Sequence, residues 1–128
     1  MALIILLDQF SRNLFRNDPK SYSQDTKARL LVTEGVDRQY LDELDTSEKF
    51  FYLLPLIHSE DLQDHIYLHQ LGEVFLKDNP NYEHIQKSWN DHTVVIKKFG
   101  RYPHRNEILN RKSTPQEIEF LKGPNSSW

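Results

Sequence analysis

The chain has 128 residues, 16 lysines and arginines against 19 aspartates and glutamates, a formal net charge of -3, and no cysteine. That length makes one domain with a real core but not two. The charge balance excludes the global positive field that gathers nucleic acid or an anionic membrane. The missing thiols exclude disulfides, thiolate metal sites and a cysteine nucleophile, and they fit a reducing, cytoplasmic setting.

Taken in chain order, the pattern is helical throughout. The first helix is predicted over Ala2 to Arg16 and opens with Met1-Ala2-Leu3-Ile4-Ile5-Leu6-Leu7, apolar on every face and uncapped. This run is too short for a membrane span of ~20 residues, and it has neither the basic flank nor the cleavage site of a signal peptide. A helix apolar all round normally sits inside a domain. At the head of the chain it predicts a single helical domain, residues 1–128, that lacks upstream elements. The alternative is a buried first helix that needs nothing before it. Apolar surface left around Leu3 to Leu7 would favour a homodimer that covers this helix.

Asn17-Asp18-Pro19 stops the first helix. A second is predicted from Ser21 to Val36, with Ala28, Leu31 and Val32 inside. Asp45-Thr46-Ser47-Glu48 reads as a capping box before an apolar helix, Lys49 to Leu54, which Pro55 kinks or ends. His58-Ser59-Glu60-Asp61 opens the next helix, with Ser59 as cap and the two acids at the positive end of the dipole. That helix runs to about Lys77 and closes at Asp78-Asn79-Pro80. The fifth, Tyr82 to Phe99, has the cleanest apolar stripe: Ile85, Trp89, His92, Ile96 and Phe99 share one face. Gly100 ends it. A short helix follows Pro103, and a last one starts at the second box, Thr114-Pro115-Gln116-Glu117, and stops at Gly123-Pro124. No alternation of β-branched residues marks a strand, so the fold class is all-α, antiparallel helices joined by short turns.

The chemistry concentrates in Gly100-Arg101-Tyr102-Pro103-His104-Arg105-Asn106. Pro103 holds Tyr102 extended and suits the first turn of a helix, so His104, Arg105 and Asn106 fall where free backbone N–H groups favour an anion. Arg101 and Arg105 could clamp a carboxylate or phosphate. Equally, they could pair with acids inside the fold. A shorter echo, Gln9-Phe10-Ser11-Arg12-Asn13, lies in the first helix. There Asp8, Arg12 and Arg16 form one row, Asp8 within reach of Arg12. That row is either a solvent face or the wall of a pocket.

His92, on the apolar stripe, is either a core histidine with one satisfied hydrogen bond or a donor at a pocket floor. His58 with Glu60 suggests an acid–base pair, although capping explains the same residue types. The candidate catalytic groups are therefore His58, His92 and His104. Asp61, His65, His69 and Glu73 recur every four residues and read as a solvated face rather than a metal site, because no glutamate is placed between the histidines as zinc peptidases require. Phosphate-cradling loops, nucleophile elbows and dinucleotide fingerprints are missing, and 4 glycines could hardly build them. No metal or cofactor is expected.

Four blocks together resemble the bacterial family known as domain of unknown function 924: Leu7 to Asn13, Leu54 to Asp61, Phe99 to Asn106, and Ser113 to Glu117. They stand in the family's order and span nearly the whole chain. The chain departs from the pattern at Ser11, where proline is common, and at His65, where glutamine is usual. The resemblance implies an α-helical fold of the tetratricopeptide-like superfamily and the absence here of the family's N-terminal segment. It brings no activity with it, and tetratricopeptide-like architecture alone does not settle function.

The function expected is a basic pocket for an anionic small molecule or a carboxylate-bearing peptide, with Arg12, Asn13, Arg101, His104, Arg105 and Asn106 as ligand residues. A second reading is a hydrolase or transferase whose pocket histidine moves a proton while arginines stabilise developing negative charge. A third is structural: both Arg-Asn blocks lock helix ends to carboxylates such as Asp8, Glu60 and Asp61.

Overall fold

The computed structural model describes residues 2–128. Among them the regular elements are all helical. Chain order runs α1 (Ala2–Ile5), a π-helical turn (Leu6–Phe10), α2 (Ser11–Leu14), α3 (Asp25–Asp37), α4 (Thr46–Ile57), α5 (Leu62–Phe75), α6 (Tyr82–Phe99) and α7 (Pro115–Leu121). Tight 3-10 turns sit at Pro19–Tyr22, Tyr40–Glu43 and Pro103–Arg105.

The long helices α3 to α6 pack each on the next, reversed by short connections. Their facing stripes make the main core: Val32, Leu53, Leu56, Leu68 and Trp89, closed at the ends by Leu41 and Leu76. Burying such side chains supplies ~1.5–3 kcal/mol each and holds these helices together. A smaller cluster, Val95, Ile96 and Tyr102 with Phe99 and Phe120, ties the C-terminal part to α6.

The first helix is a single rod whose middle turn is π-helical. Ile5, Phe10 and Ser11 all keep right-handed helical dihedrals, so α1, the π turn and α2 are continuous. The wider π turn carries one extra residue per cycle, and it sets Leu7 and Asp8 on the face that Ile4 also buries, against α3 and α4. The rod ends at Phe15 rather than Arg16.

The predicted second helix is split. Asp18 accepts a hydrogen bond from the Lys20 N–H (2.9 Å), and Pro19 takes the first position of a 3-10 turn. The Ser23 hydroxyl donates to the Lys20 carbonyl (2.8 Å) and competes for an acceptor that a continuing helix would use. The α-helix proper starts only at Asp25. In α4 the Asp45–Glu48 box is made on both sides, at 2.8 and 3.0 Å. Pro55 does not end this helix, which continues to Ile57, because in the last turn it forfeits one backbone bond only.

The start of α5 differs from expectation. Asp61, not Ser59, is the cap and accepts from Gln63 N–H at 2.9 Å. Ser59 instead accepts from the Asp61 N–H (3.0 Å) and donates to Asp64 Oδ2 (2.5 Å). The row Asp61, His65, His69 and Glu73 is a solvated face only at its ends, where Asp61 and Glu73 are exposed. His65 is fully buried and His69 half-buried, because α5 is covered on two sides, by α4 and α6. The Ser59 carbonyl only accepts, so His65 Nε2–H donates to it (2.7 Å), and Nδ1 lies 2.9 Å from the Thr93 hydroxyl, whose single proton is shared with the Trp89 carbonyl (2.8 Å). His69 Nε2 donates to that same hydroxyl oxygen at 2.9 Å. Burial holds both rings below the usual imidazole value, hence neutral at pH 7.

Helix α6 matches its predicted span, and Gly100 closes it in the left-handed conformation (φ 71°) that favours glycine. At α7 the Thr114–Glu117 box is again complete, with Pro115 at the first turn. No helix of the described residues is long and apolar enough to cross a membrane.

Candidate functional site

The two Arg-Asn blocks do approach each other. Arg12, from α2, and Arg105, from the 3-10 turn after α6, both lie against Tyr22. Their guanidinium carbons stand 5.0 and 4.4 Å from its ring centre, and Arg105 is also 4.8 Å from the ring of Tyr102. Flat guanidinium groups stack on aromatic faces at such distances. Asp25, at the first turn of α3, joins them: Arg12 Nη2 donates to its Oδ2 at 2.8 Å, and Arg105 Nη1 lies 3.9 Å from the same oxygen. Arg105 Nη2 donates to the His58 carbonyl at 2.8 Å. Arg105 is buried, its side chain only 6% exposed, whereas Arg12 keeps 21%.

Beside this cluster stands a dyad. Asp8 is brought inward by the π turn, and its Oδ1 accepts from His58 Nδ1 at 2.7 Å. The proton therefore sits on Nδ1, and Nε2 is left as a bare lone pair with no protein partner among the described residues. Burial lowers the His58 pKa despite the pull of Asp8, so the ring is neutral. Burial also raises the Asp8 carboxyl, but the His58 hydrogen bond and the Arg12 charge outweigh it and leave Asp8 ionised. Asp25 behaves oppositely: burial dominates, and its pKa is raised although both arginines oppose this.

Three hollows share lining residues here. An outer one of about 540 Å³ is lined by Arg12, Asn13, Arg16, Tyr22, His104 and Trp128. An inner chamber of about 180 Å³ is lined by Arg12, His58, His92, His104, Arg105 and Trp128. A third, about 430 Å³, lies across Arg105 from these and includes Asp25, Arg29, His58 and Glu60. Among the described residues four buried side-chain polar atoms lack a hydrogen-bond partner: Arg12 Nε, Asp25 Oδ1, His104 Nδ1 and Arg105 Nε. All four residues line these hollows. Unpartnered buried polar groups cost ~1–3 kcal/mol each, and natural folds keep few of them outside functional sites.

The remaining sequence candidates fall in two groups. Asn13 is exposed at the outer hollow, and His104 and His92 face the inner chamber. His92 Nδ1–H donates to the Ser88 carbonyl (2.7 Å), which frees Nε2. Burial pushes His104 down to about 4 and lowers His92 as well. Arg101 and Asn106 point elsewhere. Arg101 grips Glu117 with Nε and Nη2 (2.9 and 2.7 Å), and Asn106 donates to Glu117 and Ser113 (both 3.1 Å). Two of the three backbone N–H groups expected to greet an anion at this turn, those of Arg105 and Asn106, are also taken. Tyr102 N–H donates to Glu60 Oε2 at 2.6 Å, and the Arg105 and Asn106 N–H groups bond carbonyls within the turn. Glu60 is held by both arms of Arg111 (2.9 and 3.1 Å) rather than by His58.

Sequence reading missed Tyr22, Asp25, Arg111 and Trp128. Asp25 has the signature of any acid in a first helical turn, and Trp128 reaches the cleft from the far end of the chain. Their roles arise from contacts distant in sequence. Among the described residues no group of three His, Asp or Glu side chains is arranged to hold a metal ion.

Residues 1–125 match the model of DUF924, a family of bacterial proteins of unknown function. Among solved structures the chain is similar to a protein of unknown function, ATU0120 from Agrobacterium tumefaciens, with 34% identity and a TM-score of 0.83. The match covers 95% of this chain and 66% of that one, so the chain spans about two thirds of its neighbour's length. A comparison with curated proteins gave no match.

Proposed function

From the premise that the chain belongs to the DUF924 family of bacterial proteins of unknown function, we propose that the cleft between the two arginine blocks binds a small organic anion. Arg12 and Arg105 hold the anionic group, and His104 and Asn13 orient it from the outer side. The observation that carries this reading is the set of unpartnered buried atoms, two of them arginine Nε donors. Arg101 and Asn106 leave the ligand set, since Glu117 occupies both. The charges bear on the ligand: Arg12 and Arg105 are balanced by Asp8 and Asp25, and the histidines are neutral. A single negative charge suits such a site better than two. A cytoplasmic setting belongs to the same reading and is supported by the absence of cysteine.

Calorimetry of the protein with sodium acetate and with inorganic phosphate tests it. Binding is expected to weaken by ~10–100-fold in Arg105→Lys, which keeps the charge but loses the fork and its charged hydrogen bonds. Unchanged binding in that variant, or no anion bound by the wild type, defeats the proposal.

One observation favours a second reading. An imidazole oriented through Nδ1 by a buried carboxylate, with Nε2 bare beside two arginines, is the arrangement of a general base. On that reading His58 takes a proton from water or a substrate hydroxyl, and the arginines stabilise the oxyanion that forms.

A further inference from the structure

Resting on the anion reading above, we propose that the inner chamber is a ring subsite and that the ligand is a monocyclic aromatic carboxylate. Its carboxylate lies on Arg12 and Arg105, and its ring packs among Trp128, His92, Tyr102 and His104.

The juxtaposition of those four rings with the arginines carries the argument. Trp128 and His92 have ring centres 4.2 Å apart with planes 32° from parallel. Trp128 meets Tyr102 and His104 edge-on, at 5.7 Å and 65° and at 6.0 Å and 71°. His92 meets Tyr102 edge-on at 6.1 Å. Offset and edge-to-face contacts of this kind are what ring quadrupoles favour; the rings now make them with one another, and a planar guest would take up the contacts that Trp128 gives up. Tyr102 is fixed by its hydroxyl, which donates to the Ile57 carbonyl, and His92 by its bond to Ser88. Two walls are thus rigid. Trp128 is about half exposed and sits outside both core clusters, so it can give way to a guest without disturbing the core.

Volume and charge narrow the guest. An apolar cavity of ~150 Å³ accepts a benzene ring, and the chamber measures about 180 Å³, enough for one six-membered ring and a carboxylate. With the histidines neutral the walls are uncharged π surfaces, and positive charge comes from the two arginines alone. The unpartnered Arg12 Nε and Arg105 Nε donors suit a ligand with several acceptors close together, as a carboxylate has.

The full chain is titrated calorimetrically with sodium acetate, cyclohexanecarboxylate and benzoate, alongside inorganic phosphate. Benzoate is expected to bind about tenfold more tightly than cyclohexanecarboxylate, which fills the same volume without a π face. Trp128→Ala is expected to abolish that preference and Trp128→Phe to keep most of it. Equal affinity for the two ring acids, or a preference that survives Trp128→Ala, overturns the ring subsite while acetate binding leaves the anion reading standing. If acetate, phosphate and benzoate all fail to bind, both fall together.

Discussion

Glu117 shows how completely one side chain can be claimed by the fold. It closes the α7 capping box, accepts both arms of Arg101 and receives Asn106, while only 2% exposed. The Arg101 hydrogen bonds hold its carboxyl down to about 2, from an ordinary value of 4.5. A carboxyl depressed on folding stabilises the fold fully above pH 4.5 and loses that contribution as pH falls toward 2. His104 acts earlier. Its pKa falls from 6.5 to about 4 on burial, so its neutral form supports folding above pH 6.5, and support is lost as pH drops toward 4. A urea midpoint measured against pH is therefore expected to fall in two stages. Glu117→Ala should shrink the lower stage, to which Asp8 and Glu60 also contribute, and cost ~3 kcal/mol at pH 7, as for a broken buried pair. A lower stage of unchanged size in this variant would assign it to those other acids.

At the scale of elements, close approach is the recurring constraint. A Cβ on Gly35 would stand 1.5 Å from the Tyr52 hydroxyl oxygen and 2.6 Å from its Cζ. Tyr52 is itself buried between α3 and α4 and donates to the Leu31 carbonyl at 3.3 Å. Gly35→Ala is expected to cost ~1–3 kcal/mol in urea unfolding, and in a Tyr52→Phe background the cost should shrink, since one clashing atom is gone. An equal cost in both backgrounds would place the strain elsewhere. The sequence makes some elements legible and hides others for a physical reason. The boxes at Asp45 and Thr114 and the stripe of α6 are set by spacings within one turn or one face, and all three form. The π turn and the split at Ser23 depend on which residues the rest of the chain buries. His65 illustrates the same limit: its polar spacing suggested solvent, but carbonyl and hydroxyl partners from Ser59 and Thr93 let it enter the core. The convergence of Arg12 and Arg105 was readable as two similar blocks, whereas Asp25 and Trp128 had no local signal to mark them.

At the scale of the whole molecule, the first rod carries an apolar stripe on its outer side: Leu3, Leu6, Phe10 and Leu14 are each about half exposed or more. Their spacing of three and four aligns them along one face, and a contiguous patch of this kind favours association. Light scattering is expected to show a dimer at high concentration, and Leu6→Glu with Phe10→Glu a monomer of unchanged helicity. A wild-type monomer across the concentration range would count against it. Trp128 has a separate consequence, for detection. The chain holds two tryptophans, one sealed in the core at Trp89 and one at the mouth of the cleft. In a Trp89→Phe background all indole emission comes from the side chain stacked on His92. Protonating that imidazole, or displacing the indole from it, changes the emission, so the protein carries an intrinsic optical gauge of what occupies its cleft and needs no label to report it.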